Sequence, residues 1–516
     1  MDDLTWSNSW IFARLSIELR SKNSPLKRHE IITVSGDRFD TTMPPNKTNI
    51  QRTVEQATLL IDSEPDLSPA LKAVMLLLME FLVTLSGQKA LNSRNSSTPP
   101  SQDPNRVKAK RSNRQRKPGG QPGHVGTTLQ PFEDPDDIKQ LSVDRRRYRQ
   151  HGAGTVVGYD TRQVVDIEFY RYVTEYRAEV IEFEDGTRVV ADFPEEITHR
   201  VQYGNSVKAH ATYLSQFQLL PYARLADYFA QQLDIPVSQG TLVNFNNEAF
   251  EALANYEQIA RRKLIDSAVM HVDETGVNIG GKGHWLHVCA TPLWTLYAVH
   301  EKRGSQAFEH MDVIPEYQGI LCHDHWKPYY ATCTDALHSL CNSHHLRELT
   351  FAHEHDAQGW AAKLRQFLLD LNQQVIAADG VLTENEQAKA TARYRRILKK
   401  AQSECPPPDE SLRTPGKRGR LKRSKSRNLL ERLISFEEDV LRFMTAVPVP
   451  FTNNLAENDL RMTKVQQKIS GCFRSFHGAE VFCRIRGYLT TCRKHNVSYT
   501  DALNFLFQGK LPEFCN

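Results

Sequence analysis

Four short apolar runs in the middle of the chain constrain its fold more than any other feature. They cover residues 267–272, 284–290, 293–299 and 319–323. Each is long enough for one β-strand, and a helix is expected at 303–310, before the fourth run. Asp273 follows the first run and Asp324 follows the fourth. Three strands in a meander, then a helix and a fourth strand, is the order of the ribonuclease-H-like fold, in which the first and fourth strands are neighbours.

Strand adjacency of this kind would place Asp273 beside Asp324. Two carboxylates a few ångströms apart repel each other unless a cation lies between them, and oxygen ligands favour Mg²⁺ or Mn²⁺. The pair therefore predicts a site for two such ions that carry out phosphoryl transfer. An aspartate at a strand end is by itself more often a turn residue, so the order of the elements carries this assignment.

A third acidic ligand is predicted at Glu457, at the start of a helical segment. Helical spacing puts Arg461, Lys464 and Lys468 on the same face as Glu457, which suits a phosphate backbone lying along the helix. The alternative is an ordinary surface ion pair between Glu457 and Arg461. Asp459 is a second candidate ligand, but the helical period turns it away from this face.

Two basic runs indicate nucleic-acid binding. Residues 106–117 hold seven Lys or Arg and no acid, and residues 413–427 hold eight and no acid. Such runs bind phosphates through counterion release, although a solvated surface loop is the alternative. The predicted phosphate contacts in the second run are Lys417, Arg418, Arg420, Lys422 and Arg423.

A helical region at 206–262 predicts a second type of DNA contact. A helix at 222–233, a turn, and a second helix capped by Ser238 match a helix-turn-helix reader of the major groove. The predicted base-reading residues are Gln239, Thr241 and Asn244. An ordinary helical hairpin is the alternative.

Composition and segment boundaries complete the predicted organisation. Hydrophobic residues at 40% and charged residues at 24% exclude wholesale disorder, and no apolar run reaches membrane-spanning length. The start of the chain lacks the pattern of a secretory signal, so a cytoplasmic location is expected. The expected segments are a partly helical N-terminal region (1–91), a basic Pro/Gly-rich linker (92–140), a small strand-rich module (141–205), the helical region (206–262), the first part of the catalytic core (263–355), a helical insertion with a basic loop (356–440), and the second part of the core (441–516).

Several motifs resemble the DDE transposases of the insertion sequence 66 family. They include RKPGGQPGHVGTTL, HVDETG, CHDHWKPYY, CNSHHLREL and PFTNNLAENDLRMTKVQQ, and the resemblance extends from about residue 92 to the C-terminus. It implies a catalytic triad of Asp273, Asp324 and Glu457, Mg²⁺-dependent strand cleavage and transfer, and terminal inverted repeats as the DNA target. It also implies a homo-oligomer on DNA, small accessory proteins encoded by the same element, and action at the bacterial nucleoid.

The sequence departs from that family where relatives carry a zinc finger. The chain has no cysteine before Cys289, so we expect no structural zinc. The module at 141–205 would then need its own apolar core, and the candidate residues are Val164, Ile167, Phe169, Val180, Ile181, Val189 and Phe193. The usual N-terminal coiled coil also looks shortened before Asn92.

Three hypotheses of function follow. The leading one is a metal-dependent DNA transposase; the alternatives are a nuclease that does not join strands and a catalytically silent DNA-binding protein. Near the start of the insertion, Cys341, His344 and His345 have the spacing of half a metal site. That signal is weak, because a polar helix start with a core cysteine produces the same pattern.

Overall fold

The computed structural model describes residues 54, 57–64, 67–96, 103, 129–409, 411, 421, 423–445 and 449–516. Seven strands and fifteen helices are named within these residues. The strands are β1 Val180–Glu182, β2 Arg188–Val190, β3 Val269–Ile279, β4 Lys282–Ala290, β5 Thr295–His300, β6 Ile320–His323 and β7 Leu337–Leu340. The helices are α1 Pro69–Ala90, α2 Asn205–Thr212, α3 Tyr222–Leu233, α4 Gln239–Ala252, α5 Ala254–Ile265, α6 Ser305–Met311, α7 Lys327–Thr332, α8 Asn342–Asp356, α9 Gly359–Ala377, α10 Glu384–Glu404, α11 Lys425–Ser435, α12 Glu437–Leu441, α13 Asn454–Ser470, α14 Phe476–Lys494 and α15 Tyr499–Phe507.

A five-stranded mixed sheet organises the α/β part of the chain. Its strand order is β5-β4-β3-β6-β7. Strands β3, β4 and β5 form an antiparallel meander, whereas β6 runs parallel to β3 and β7 runs parallel to β6. The first and fourth of the predicted strands are therefore neighbours, as the order of elements predicted. Strand β7 was not predicted, since Leu337–Leu340 is short and contains His and Ser.

Strand β3 is longer than its sequence suggested. We expected it to end before Asp273, because a polar, glycine-containing segment follows, but it continues to Ile279. Gly280 and Gly281 have φ of 57° and 84° and connect β3 to β4 in a two-residue hairpin. Glycine readily adopts these left-handed angles, and Gly-Gly is a common hairpin turn. Asp273 thus lies within β3, at the level where the neighbouring β6 ends.

Helix α14 packs closely on the edge strand of the sheet. Most of its residues are buried, and its Gly487 approaches β5 so closely that a Cβ there would lie 3.2 Å from the carbonyl oxygen of Thr295. A second layer of apolar side chains joins α13 and α14 to the sheet. It includes Leu286, Val288, Val299, Leu460 and Phe482. The sheet is thereby rigid where it carries Asp273.

The predicted helical insertion is present between the fourth strand and α13. Helices α9 and α10 include the predicted spans 360–376 and 387–401 and extend beyond both. Helices α8 to α12 share an apolar core that is separate from the core around α5 and α14. Its buried members include Trp360, Leu364, Phe367, Leu368, Tyr394, Leu430, Leu433 and Phe443. Such a core gives the insertion a defined shape.

The strand-rich module predicted at 141–205 is not formed as expected. Only β1 and β2 pair there, over three residues each, and Arg145–His151 forms a 3₁₀ helix earlier in the segment. All seven side chains expected to form its core are exposed. The β-branched and aromatic pattern indicated strand propensity, but two short strands offer no second layer on which apolar side chains can be buried. The prediction of an apolar core in this module is wrong.

The helices at 205–265 follow the sequence closely. Helix α3 has the predicted bounds, and Asp234 ends it in a left-handed conformation. Ser238 caps α4 by accepting a hydrogen bond from the backbone N–H of Thr241 at 3.0 Å. Leu225, Phe229 and Leu242 join the two helices in one small apolar cluster. In the part of the chain that the structure describes, no helix has the length and apolar character needed to cross a membrane.

Candidate active site

The parallel pairing of β3 with β6 brings two of the predicted acids together. His271 pairs with Cys322, and Asp273 and Asp324 each lie two residues further along. The two aspartates therefore stand at the same level of adjacent strands. Their charges interact, since Asp324 is one of the groups that raise the pKa of Asp273.

The third acid, Glu457, lies in the first turns of α13, and Asn453 fixes that end of the helix on β3. The buried side chain of Asn453 accepts a hydrogen bond from His271 Nδ1 and donates one to the carbonyl of Val272, both at 2.8 Å. Its backbone N–H donates to Cys341 Sγ at 3.1 Å. These contacts hold Glu457 near the two aspartates, and Glu457 also contributes to the raised pKa of Asp273.

Asp273 lies among other acidic side chains that disfavour its ionised form. Burial raises the pKa of Asp273 well above its usual value, and the carboxylates of Glu274, Asp324 and Glu457 raise it further. A buried group of carboxylates that repel each other is stabilised by a bound cation. Because all the donors in the triad are carboxylate oxygens, the residues present fit Mg²⁺ or Mn²⁺.

Sequence reasoning missed a fourth acid, Glu274, which is held in a network of its own. Its side chain is 1% exposed and accepts hydrogen bonds from Arg303 Nε and Nη2 at 2.9 and 2.6 Å and from the Tyr329 hydroxyl. The Arg303 guanidinium lies 4.7 Å from the ring of Trp285 and 4.1 Å from that of Trp326. Glu274 thus has hydrogen-bond partners of its own, and these bonds connect β3 to Arg303 and to Tyr329 of α7 beside Asp273. The only signal for it in the sequence was its position beside Asp273.

The basic face of α13 is exposed at Arg461, Lys464 and Lys468. Lys464 Nζ also donates to the carbonyl of Gly276 on β3 at 2.6 Å. Burial lowers the pKa of Lys464. Asp459 is turned away from the triad, as predicted, and pairs with Lys494 at 3.0 Å.

Two arginines of the insertion also lie close to the triad. Arg432 on α11 pairs with Glu348, and the charge of Asp324 acts on its pKa, which burial lowers. Arg347 on α8 lies near His344. Burial lowers the pKa of His344, the charge of Arg347 lowers it further, and the charge of Glu457 raises it. The Nε atoms of Arg347 and Arg432 have no hydrogen-bond partner among the described residues. No sequence pattern indicated either residue, because their approach depends on how the insertion packs.

Of the other predicted DNA contacts, the described ones lie on α4 and beside α11. Gln239 and Asn244 are exposed on α4, and the Thr241 hydroxyl bonds with that of Ser238 at 2.9 Å. Arg423 pairs with Glu431. Lys417, Arg418, Arg420, Lys422 and the linker 106–117 lie outside the described residues.

Of the three residues of the suspected half metal site, two lie beside Glu457. Glu457 Oε1 is 3.8 Å from Cys341 Sγ and 3.9 Å from His344 Nδ1. His345 is buried, and its Nδ1 is 3.1 Å from Asn342 Oδ1. His345 is therefore not part of the group formed by Cys341, His344 and Glu457, because consecutive helical residues point in different directions.

Replacing Asp273 with Asn should make the metal-free protein more stable at neutral and alkaline pH. The raised pKa of Asp273 means that its stability contribution is present at low pH and is lost as pH rises and the buried carboxyl ionises. Asn cannot ionise, so we expect the melting temperature of Asp273→Asn protein to exceed that of the wild type by about 2 °C or more at pH 8, with a smaller difference near pH 4.

The matched control is Asp312→Asn, at an exposed left-handed position that Asn also tolerates. It should change neither the melting temperature nor its pH dependence.

Mg²⁺ should raise the melting temperature of the wild type and not that of Asp273→Asn. A variant less stable than the wild type at every pH would contradict a repulsive, cation-deficient cluster.

Comparison with known proteins places this site in a family. The family model described as Transposase IS66 family matches residues 200–481, more than half of the chain, and this stretch includes all three acids. A second model, described as a family of unknown function (DUF6444), matches residues 42–130. No curated protein matches the chain. The chain belongs to the IS66 family of transposases.

Proposed function

We propose that this transposase cleaves and joins DNA strands by a metal-dependent DDE mechanism, with Asp273, Asp324 and Glu457 as the metal ligands. The observation that carries the proposal is the meeting of these three acids, from β3, from the end of β6 and from α13, in a partly buried cluster with excess negative charge. The strand order β5-β4-β3-β6-β7, with β6 parallel to β3, supports a ribonuclease-H-like core.

Each protein group has a distinct role in the proposed reaction. Bound Mg²⁺ or Mn²⁺ would supply activation of the attacking oxygen and stabilisation of the leaving oxygen. Asp273 and Asp324 would hold the metal from the sheet, and Glu457 would hold it from α13. Water is the nucleophile at the element end, and the freed 3′-hydroxyl then attacks target DNA. The phosphorus exchanges one oxygen substituent for another in both steps.

The cationic groups around the triad would hold the DNA. Arg347 and Arg432, whose charges act on the groups around the triad, would bind phosphates flanking the scissile bond. Arg461, Lys464 and Lys468 would bind the strand along α13. The helix after Ser238, with Gln239, Thr241 and Asn244, would read bases of the terminal inverted repeats as the second helix of a helix-turn-helix. Family membership supports action as a homo-oligomer at the bacterial nucleoid, with accessory proteins from the same element.

Removing any one carboxylate should abolish strand cleavage and leave DNA binding intact. Asp273→Asn, Asp324→Asn and Glu457→Gln each remove a metal ligand, and metal ions supply several kcal/mol of transition-state stabilisation, so we expect cleavage to fall about a thousandfold or more. Cleavage of labelled element ends in Mg²⁺ measures the reaction, and a gel-shift assay measures end binding.

Glu309→Gln is the matched control, since Glu309 is an exposed acid on α6. It should cleave at the wild-type rate. Robust Mg²⁺-dependent cleavage by Asp324→Asn protein would rule out the assignment. Pre-cut ends test joining: cleavage without strand transfer would identify a nuclease, and neither reaction in the wild type would favour a silent DNA-binding protein.

Neutralising the second basic run should weaken binding to all DNA sequences alike. Replacing Lys417, Arg418, Arg420, Lys422 and Arg423 with Gln removes cations that bind phosphates. The slope of log K against log salt should become shallower by about 0.9 for every phosphate that is no longer neutralised. Binding to repeat and random duplexes is measured across a range of salt concentrations.

Five exposed residues of α10 provide a control of equal charge: Lys389, Arg393, Arg396, Lys399 and Lys400. Their replacement should leave the salt slope unchanged. If the variant in the basic run lost only its preference for the terminal repeat, that run would be reading bases, and the proposed division between phosphate and base contacts would be wrong.

A further inference from the structure

We propose that Cys341, His344 and Glu457 form a binding site for Zn²⁺ that overlaps the carboxylate triad, so that zinc inhibits the transposase by taking Glu457 from the catalytic ions. The binding site itself rests on the geometry of these three side chains. Its inhibitory effect rests also on the proposed function of Glu457.

The three ligand atoms are already close to the separations that zinc requires. One sulfur, one nitrogen and one oxygen from these residues all lie within 4.8 Å of one another. Zinc bonds of about 2.0–2.3 Å in a tetrahedron put neighbouring ligand atoms roughly 3.3–3.6 Å apart. The observed distances of 3.8 and 3.9 Å from Glu457 Oε1 exceed this by a few tenths of an ångström. Small side-chain rotations would close the site.

Cys341 is a buried thiol whose proton zinc would have to displace, since burial raises its pKa to about 11 and a coordinating metal ion deprotonates a thiol. Cys341 is buried at the N-cap of α8, a helix of 15 residues, where the helix dipole favours negative charge. The backbone N–H of Asn453 donates to its sulfur at 3.1 Å. Hydrogen bonds of this kind orient a ligand and stabilise its charged form. His344 lies on the first turn of the same helix, so both ligands come from one rigid element.

The donor set selects a metal different from the one proposed for the triad. Thiolate and imidazole bind Zn²⁺ well, whereas Mg²⁺ and Mn²⁺ prefer oxygen ligands. Three protein ligands leave a fourth position for water, as in zinc sites that are not structural. This site also lies far along the chain from residues 140–200, where the absence of cysteine argues against a structural zinc.

Glu457 is the residue that the two sites share. Zinc bound by Cys341 and His344 would draw Glu457 Oε1 towards α8 and away from an ion held by Asp273 and Asp324, and the charge of the zinc would repel that ion. Thiolate and imidazole bind Zn²⁺ strongly and Mg²⁺ weakly. Zinc should therefore inhibit cleavage at concentrations far below the Mg²⁺ concentration of the assay.

Zinc binding can be measured on the full-length protein without any cleavage assay. The protein is stripped with a chelator and titrated with Zn²⁺ against a chromophoric chelator. We expect the wild type to bind one equivalent that is weakened at least about tenfold in Cys341→Ser and in His344→Gln. Serine retains an acceptor for the N–H of Asn453, which favours correct folding. Cys405→Ser, at another buried cysteine, is the control and should bind as the wild type does.

Cobalt gives a spectroscopic check on the sulfur ligand. Co²⁺ in place of zinc should produce a thiolate charge-transfer absorption in the wild type and in Cys405→Ser, and not in Cys341→Ser. Circular dichroism and thermal melts establish that each variant is folded. Equal zinc affinity in the wild type and folded Cys341→Ser protein, or cobalt spectra without a thiolate band, would overturn the site.

Inhibition is tested separately as the ratio of Mg²⁺-dependent cleavage rates with and without zinc. Zinc should lower this ratio in the wild type and in Cys405→Ser, and much less in Cys341→Ser, whatever the basal rate of each. Zinc that binds through Cys341 and leaves cleavage unchanged would overturn the overlap at Glu457. A wild type that cleaves no DNA would count against the proposed function, and the binding measurements would still decide whether the zinc site exists.

Discussion

The buried side chain of Asn453 makes the connection on which the rest of the site depends. It is 182 positions from His271 and 181 from Val272 in the sequence, and it bonds to both. These bonds place the first turns of α13 against β3 immediately before Asp273. Breaking them would leave buried polar groups on both elements unpaired, which is costly. This amide, together with the apolar packing of Ala456 and Leu460 on the sheet, sets the position of Glu457 relative to the two aspartates.

The triad is costly to the folded protein in the absence of a cation. Asp273 is buried beside other carboxylates, and each of them disfavours its ionised form. The neighbouring Glu274 is buried too, and burial raises its pKa, but hydrogen bonds from Tyr329 and Arg303 act in the opposite direction. The two adjacent acids therefore differ in their partners: Glu274 is bound by protein side chains, and the carboxylate of Asp273 is available to a metal. Local instability at a functional position, compensated elsewhere, is a common property of active sites.

Much of the site could be predicted because its chemistry follows the order of the elements. The order of the strands along the chain predicts that the strands carrying Asp273 and Asp324 are parallel neighbours. The helical period predicts that Glu457 and Asp459 lie on different faces of α13. The length of β3 was missed because Gly280 and Gly281 resemble a loop, although they form a two-residue turn. The module at 141–205 was misjudged because strand propensity does not reveal whether a second layer exists. Glu274, Arg347 and Arg432 could not be found, since their roles depend on contacts between segments distant in sequence.

Direct observation of the metal ions tests the central claim. Crystals of the protein bound to a terminal-repeat duplex, soaked in Mn²⁺, would locate the ions by anomalous scattering. The account predicts two manganese peaks about 3.5–4 Å apart, with oxygen atoms of Asp273, Asp324 and Glu457 as the protein ligands. Ions bound elsewhere, with the three carboxylates making no contact to metal in a complex that holds the scissile phosphate, would contradict it.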